Sequence, residues 1–559
     1  MPALPNGLAA IVLLAALLAG CDTAAEPPPR TRPIFMDVAE SAGVRFTHQN
    51  GATGKRFLPE TTVGGAAWID FDADGLFDLY FVTGNEHPDV GGIGSASNGL
   101  FRNLGNGSFV DATQSAGVAC HAYGSGVAVG DYDNDGFSDI YVTCYGDNFL
   151  YHNEGNGRFN DATARARVRG GKWSTSSAFL DHDLDGDLDL YVCRYVDYDP
   201  TKKCHTGEIL TYCSPHEFAG LPDILYKNLG DGTFEDVSLA AGVAVAGPSA
   251  GKSLGVVVLD YDDDGDPDIY VACDQVPNLL FRNDRNGKFT EVGLIANVAY
   301  SSDGASQAGM GVDAGDIDLD GRQDIVVTNF SDEPNALYRN EGSGFFTESS
   351  RPFDLAGLTL ERLGFGVLLF DADLDGDLDL YIANGHVQDN IDVLRPGRTF
   401  AQADQLLEND SGKRFVDISS ACGDWFYRAT VSRSAASCDF DGDGDEDIVL
   451  LSTDDRVALL RNDSRPSHWI AFKLRGTKSN RDGYGARVTV TARRGAEALT
   501  RVFECRSTRS YASACDPRVR CGLGREPVTV ERIEIRWPSG VRQTLESPAI
   551  DRLHEVVEP

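Results

Sequence analysis

A nine-residue pattern, Asp-x-Asp-x-Asp-Gly-x-x-Asp, occurs seven times in this chain, and each copy runs straight into a short apolar segment. The acidic sets are Asp70, Asp72, Asp74, Asp78; Asp131, Asp133, Asp135, Asp139; Asp181, Asp183, Asp185, Asp189; and Asp260, Asp262, Asp264, Asp268. They continue as Asp316, Asp318, Asp320, Asp324; Asp371, Asp373, Asp375, Asp379; and Asp439, Asp441, Asp443, Asp447. Four carboxylates within nine residues repel one another unless a hard cation sits among them, and Ca²⁺ takes about six to eight oxygens. The pattern predicts a repeat protein holding up to seven structural Ca²⁺ ions.

A helix-loop-helix calcium site needs a bidentate Glu at loop position 12. That position here is Phe81, Val142, Val192, Val271, Val327, Ile382 or Leu450, so that reading fails. The β-branched and aromatic residues that follow, as in Ile140-Tyr141-Val142, predict a strand after each loop. The extra acids Asp263, Asp266 and Asp445 are expected to raise the local field rather than to ligate.

A second signature follows in each unit, explicit from Asn98 to Asp111 and recurring at 148–161, 225–236, 278–291 and 335–348. Its Leu-Phe/Tyr-x-Asn run reads as a strand, its Gly-x-Gly as a hairpin turn, and its Phe-x-Asp as the next strand. Four strands per unit follow, and the class is all-β. The seventh unit stops after Asn462 without its Phe-x-Asp strand, and that strand stands at the other end as Phe35-Met36-Asp37-Val38. A closed ring removes exposed sheet edges, so residues 34–463 are predicted to form one seven-bladed β-propeller.

These residues resemble the FG-GAP/VCBS repeat family, the calcium-loop propellers to which integrin α-subunit heads are related. The resemblance implies that the Asp side chains at positions 1, 3, 5 and 9 and the carbonyl at position 7 are the ligands. Beyond the ring, His468-Trp469-Ile470, Ser479 to Val488, Cys521-Gly-Leu-Gly524 and Trp537-Pro-Ser-Gly540 closely resemble the ASPIC/UnbV domain of a cartilage acidic protein-like family with bacterial lipoprotein members. A small β-sandwich-like domain is expected over 464–559, with Trp469 and Trp537 in its core. Glu504 to Arg520 departs from the family pattern, and no role is carried onto it.

The formal net charge of −36 excludes nucleic acid and anionic membrane surfaces as partners, and seven Ca²⁺ would leave it near −22. An apolar run ending in Leu18-Ala-Gly-Cys21 resembles a lipobox, so residues 1–21 read as a lipoprotein-type signal with Cys21 lipidated, and ordinary secretion is the alternative. Residues 22–33 form a Pro-rich spacer. The protein is then exported, held at a bacterial envelope by the lipid alone, and a monomer. Export permits disulfides: Cys204 with Cys213 is the best pair, Cys505, Cys515 and Cys521 are expected to contain one, and Cys422 could join Cys438. Cys144, Cys193 and Cys273 read as buried thiols.

The loops leaving the second strand of a unit lie opposite the Asp loops, and three are long: 84–97, 194–222 and 384–404. Recognition is expected there, with His87, His216 and His386 as candidates beside Tyr195, Tyr198, Gln388 and Asp389. No Gly-x-Ser-x-Gly elbow, His-Glu-x-x-His helix or phosphate loop is present. The expectation is a binding or adhesion scaffold for a protein or glycan ligand. The alternative is a carbohydrate lyase or oxidoreductase working at the channel mouth.

Overall fold

A computed structural model describes residues 32–88, 94–247 and 250–559. The signal and Cys21 expectations, with nearly all of the spacer, lie outside these residues. Residues 32–559 form one compact unit, all-β and propeller-like. Among the described residues before 463, strand pairing gives five four-stranded antiparallel sheets and one eight-stranded sheet, in which Asp139–Asp147 pairs with Gly170–Leu180 and so joins two further groups of four. In the first, Gly65–Ile69, Asp78–Val82, Gly99–Asn103 and Phe109–Asp111 pair in sequence order. The Asp loop joins strands one and two, and a hairpin whose Gly105 and Gly107 take φ of 70° and 75° joins strands three and four. The second strands Asp78–Val82 and Asp379–Asn384 are buried along their whole length, and Asp139–Asp147 over its first six residues. A neighbouring group covers each of their faces, which accounts for continuous rather than alternating apolar runs.

The last group takes its outer strand from the other end of the chain: Phe35–Asp37 pairs with Ala458–Asn462, Phe35 opposite Asn462 and Asp37 opposite Leu460. Phe35 is buried between Phe370 and Phe426. The seven first strands touch in a cycle, with Gly65–Ile69 contacting both Gly124–Gly130 and Ser432–Cys438.

Residues beyond 467 build two further sheets. His468–Arg475 lies between Val519–Gly524 and Leu553–Val557, and Arg487–Arg494 lies between Glu497–Glu504 and Val528–Arg536. Trp537 is buried in their core beside Ile470, Val488 and Ile535, whereas Trp469 is only half-buried, with the Arg520 guanidinium 5.8 Å from its ring.

The stretch between Glu497–Glu504 and Val519–Gly524, which sequence left without a role, runs into the axis of the ring. It touches all seven first strands. Arg506 donates to the Val258 carbonyl (3.3 Å), Ser507 to Val129 (3.0 Å), Thr508 to Ser177 (3.4 Å) and Arg509 to Leu369 (3.1 Å). Ser510 exchanges two backbone bonds with Val312. Ala514 donates to Ala66 and accepts from Trp68, and Asp516 donates to Ser437. Tyr511, at the tip, donates to the Thr62 carbonyl at 2.8 Å and packs edge-on against Phe365. The plug explains why the first strands are built of small residues: a Cβ on Gly65 would lie 2.4 Å from the Ala512 carbonyl oxygen.

The Cys204–Cys213 disulfide forms, with Cα atoms 5.1 Å apart, and staples the hairpin Cys204–Thr206/Ile209–Thr211. The other proposed pairs do not. Cys505, Cys515, Cys521, Cys422 and Cys438 are buried free thiols, and each has a polar partner of its own. Cys505 donates to the Asp482 and Pro517 carbonyls, Cys422 to Ile418 and Cys521 to Gly522, while Cys515 accepts from the Ser437 N–H and Cys438 faces Asp516. Cys144, Cys193 and Cys273 are buried thiols, as read from sequence.

Candidate functional site

The seven Asp loops share one backbone geometry. Position 4 is left-handed in every copy, from Ala73 (φ 56°) to Leu374 (φ 59°) and Gly442 (φ 80°), and the position-6 glycines lie between Gly75 at 89° and Gly444 at 106°. The position-1 carboxylate accepts from the position-6 N–H, as Asp131 does from Gly136 (2.8 Å) and Asp371 from Gly376 (2.9 Å). The position-9 carboxylate accepts from the position-2 N–H and from the N–H of an Asn on the third strand, as Asp324 does from Ile317 (3.0 Å) and Asn340 (2.7 Å).

That Asn also reaches the preceding unit. Asn153 donates to the Phe71 carbonyl, Asn228 to Tyr132, Asn283 to His182, Asn340 to Tyr261, Asn409 to Ile317 and Asn462 to Ala372. Asn103 donates to Phe440 of the last unit and completes the cycle. Seven Asn side chains thus stitch seven loops into a closed ring of hydrogen bonds. Sequence reading saw this Asn only as part of a strand, although its recurrence at a fixed place was the available signal.

Burial pushes the loop carboxyls up: Asp78 and Asp131 to about 8, Asp181, Asp260 and Asp316 to about 7, with neighbouring Asp charges adding to the effect. Several carboxylate oxygens are buried with no hydrogen-bond donor, among them Oδ1 of Asp72, Asp183, Asp262 and Asp318 at position 3 and of the almost fully buried Asp316. An orphaned anionic oxygen recurring at one loop position, within a set of oxygens close enough to share an ion, fits a hard divalent cation.

The C-terminal sheets cover this face. Lys473 lies 3.6 Å from Asp70, Arg481 3.6 Å from Asp131, Arg520 3.0 Å from Asp439 and Arg501 3.1 Å from Asp377, and Arg536 pairs with Asp260. Between the first two loops and this module lies a cavity of 270 Å³.

The opposite mouth holds a cavity of 470 Å³ walled by the two long insertions and floored by Leu254, Met310 and Phe365. Of the histidine candidates, His386 lines it. Its Nδ1 accepts from the Gln388 N–H (3.0 Å), and burial among arginines pushes its pKa down to about 4. His216 is exposed outside the lining, and His87 is fully buried, its ring 4.3 Å from Phe57. Tyr195 and Gln388 line the cavity, while Asp389 is tied to Arg56 at 2.8 Å. Sequence reading missed Arg395 and Arg398, which line the cavity and share Asp332.

A model of the FG-GAP-like repeat matches residues 82–142, 131–192, 220–271, 260–327 and 316–382, and one of ASPIC and UnbV matches 476–559. The chain carries FG-GAP-like repeats and a C-terminal ASPIC and UnbV domain. It is 24% identical to cartilage acidic protein 1 of Xenopus tropicalis over 333 residues, 58% of this chain and 47% of that one. It is 29% identical to the Mus musculus protein over 225 residues, 39% of this chain and 31% of that one. The chain spans about half or less of these relatives. Among solved structures, an Agrocybe aegerita lectin that recognises non-reducing terminal N-acetylglucosamine is similar at 16% identity and a TM-score of 0.39, covering 66% of this chain and 82% of its own. The exotype rhamnogalacturonan lyase YesX is similar at 12% identity and 0.37, covering 71% of each.

Proposed function

We propose that the FG-GAP repeats form a seven-bladed propeller stabilised by Ca²⁺ in its Asp loops. The protein is exported, held at a bacterial envelope by lipid on Cys21, and receives a protein or glycan ligand at the long-loop mouth. The Cys204–Cys213 disulfide fits export, and no described helix is long and apolar enough to cross a membrane. The observation that carries the binding reading is the 470 Å³ cavity, built from the insertions at 194–222 and 384–404 on the face that the C-terminal domain leaves open. Concave sites with a few convergent polar groups on a rigid frame are where ligands bind.

Binding is favoured over catalysis because the acids lining the cavity are committed to other groups. Asp274 accepts from Tyr195 (2.5 Å), and Asp332 neutralises Arg395 (2.7 Å). The test is a glycan and protein array probed with the Ca²⁺-loaded chain and with a variant whose 387–400 loop is shortened. A hit kept by the variant would refute the assignment of the mouth. A Cys21→Ala chain that still partitions into detergent would refute the anchor.

A further inference from the structure

Among the described residues three Lys or Arg side chains are buried: Lys252, Arg433 and Arg520. Arg520 pairs with Asp439 at 3.0 Å under the C-terminal domain. The other two make no ion pair, and both stand behind the walls of the mouth cavity. Arg433, 1% exposed, donates to four backbone carbonyls, those of Thr61 (2.8 Å) and of Gly385, Ser432 and His386 (3.0 Å each). Its guanidinium carbon lies 4.1 Å from the centre of the Phe365 ring that floors the cavity. Lys252 donates to the carbonyl of Pro215 at 2.8 Å, and Pro215 lines the cavity. A buried charge held by neutral groups alone is costly, and a chain of net charge −36 has acids to spare. Two such cations beside one cavity leave positive charge there for a ligand to neutralise.

The lining adds to that charge. Arg395 and Arg398 share the single carboxylate of Asp332, so this triad carries one positive charge in excess. The other two acids of the lining are occupied: Glu217 pairs with Lys202 at 2.6 Å, and Asp274 takes the Tyr195 hydroxyl. Behind the walls Glu60 takes the Tyr212 hydroxyl and Glu333 the Ala308 N–H, and burial pushes both carboxyls up towards the neutral form. Two hydroxyls of the lining, Thr62 Oγ1 and Ser331 Oγ, have no hydrogen-bond partner, although each residue is more than nine-tenths buried. Buried polar groups are normally satisfied, so an orphan pair in one cavity wall points to a polar ligand. The floor of Leu254, Met310 and Phe365 is apolar.

Resting on the reading of the mouth as a binding site, we propose that its ligand is an acidic sugar, an oligosaccharide bearing uronate carboxylates. A carboxylate sits against Arg395 and Arg398, whose planar forks suit it. The C–H face of a sugar ring lies on the apolar floor, and its hydroxyls meet Thr62 and Ser331. Lys252 and Arg433 touch no ligand atom and act through their charge, which is poorly screened because they are buried. An acidic peptide would match the charge, but it brings neither a run of hydroxyls for the orphan pair nor a flat C–H face for Phe365.

The experiment is a calorimetric titration of the full chain with trisaccharides of glucuronate, galacturonate and mannuronate, each beside its carboxyl-reduced neutral form, and with an Asp-Glu hexapeptide. At least one uronate binds, its reduced form binds about tenfold more weakly or worse, and added salt weakens the uronate alone. Arg395→Gln and Arg398→Gln each cost the uronate about tenfold and the reduced form little, whereas Thr62→Val and Ser331→Ala weaken both forms alike. Arg433→Met and Lys252→Met weaken the uronate without touching it. Should circular dichroism show either of these unfolded, the two rim variants carry the test. Arg493→Gln, on the C-terminal domain, leaves binding unchanged. No uronate bound, reduced forms bound as tightly as the uronates, or the hexapeptide bound more tightly than any uronate overturns the inference. A neutral or peptide ligand that binds the wild type and is lost on shortening 387–400 overturns it and leaves the binding reading intact, whereas no ligand of any kind at the mouth removes both.

Discussion

The two ends of the ring differ in what occupies them. At one end, seven acidic loops of a single geometry are stitched together by Asn side chains and covered by the C-terminal domain, whose basic residues reach Asp70, Asp131, Asp260 and Asp439. At the other, loops of unequal length and mixed charge leave a cavity open to solvent. Repetition at the first end gives stability, because every unit contributes the same bonds and the cycle has no free edge. Irregularity at the second gives room for recognition, because a binding surface needs groups that are not repeated. The plug at 505–518 joins the ends, entering beside the loops and ending with Tyr511 under the cavity floor.

If stability resides in the repeated end and its plug, replacing residues 506–517 by a Gly-Ser linker abolishes the cooperative melt, since it strips all seven first strands of axial partners. A variant melting within a few degrees of wild type, followed by circular dichroism, would make the plug an ornament. Phe35→Ala, a cavity in the closing strand, is expected to cost about 3–5 kcal/mol in denaturant unfolding. Asn340→Ala leaves the Tyr261 and Gln323 carbonyls without their donor and is expected to cost about 2–4 kcal/mol. A loss as small as that of an exposed Asn would break the stitching argument.

The pH dependence sharpens the same contrast. Folded loop carboxyls such as Asp78 and Asp131, near 8, and Asp316, near 7, lie above an unfolded value of about 3.9. The metal-free folded state therefore holds more protons than the unfolded one. The contribution of these carboxyls to its stability is fullest below about pH 4 and is lost as pH rises towards 8. Melting of the chelated chain should fall between pH 5 and pH 8, and Ca²⁺ should raise the midpoint more at pH 8 than at pH 5. A flat chelated profile would remove the desolvated-carboxylate account. The smallest effect on stability is expected at the open end: shortening 387–400 shifts the unfolding free energy by no more than about 1 kcal/mol, while any array ligand is lost. Equal losses of stability and binding would merge the two ends into one.

Much of the repeated end was legible in sequence. Loop spacing, strand order, the Gly-x-Gly hairpins and the pairing of Phe35–Asp37 with Ala458–Asn462 all follow from local pattern and the counting of strands. The histidines were less legible. His87 reads as a loop residue, but packing against Phe57 and Tyr123 buries it, and of the three candidates His386 alone lines the cavity, beside His205, which was not among them. Cysteine pairing beyond Cys204–Cys213 was not legible either, because Cys505, Cys515, Cys521, Cys422 and Cys438 each find a polar partner other than a second thiol.

The sequence by itself determined the loop chemistry, the repeat and the identity of both modules, since each is written in residues a few positions apart whose turn and strand preferences agree. Only the tertiary structure decided that the 505–518 stretch fills the axis, that Asn153 binds a carbonyl 82 residues away, and that Arg395 and Arg398 meet at one Asp332. These depend on which distant surfaces come together when the ring closes, and no local pattern carries that information.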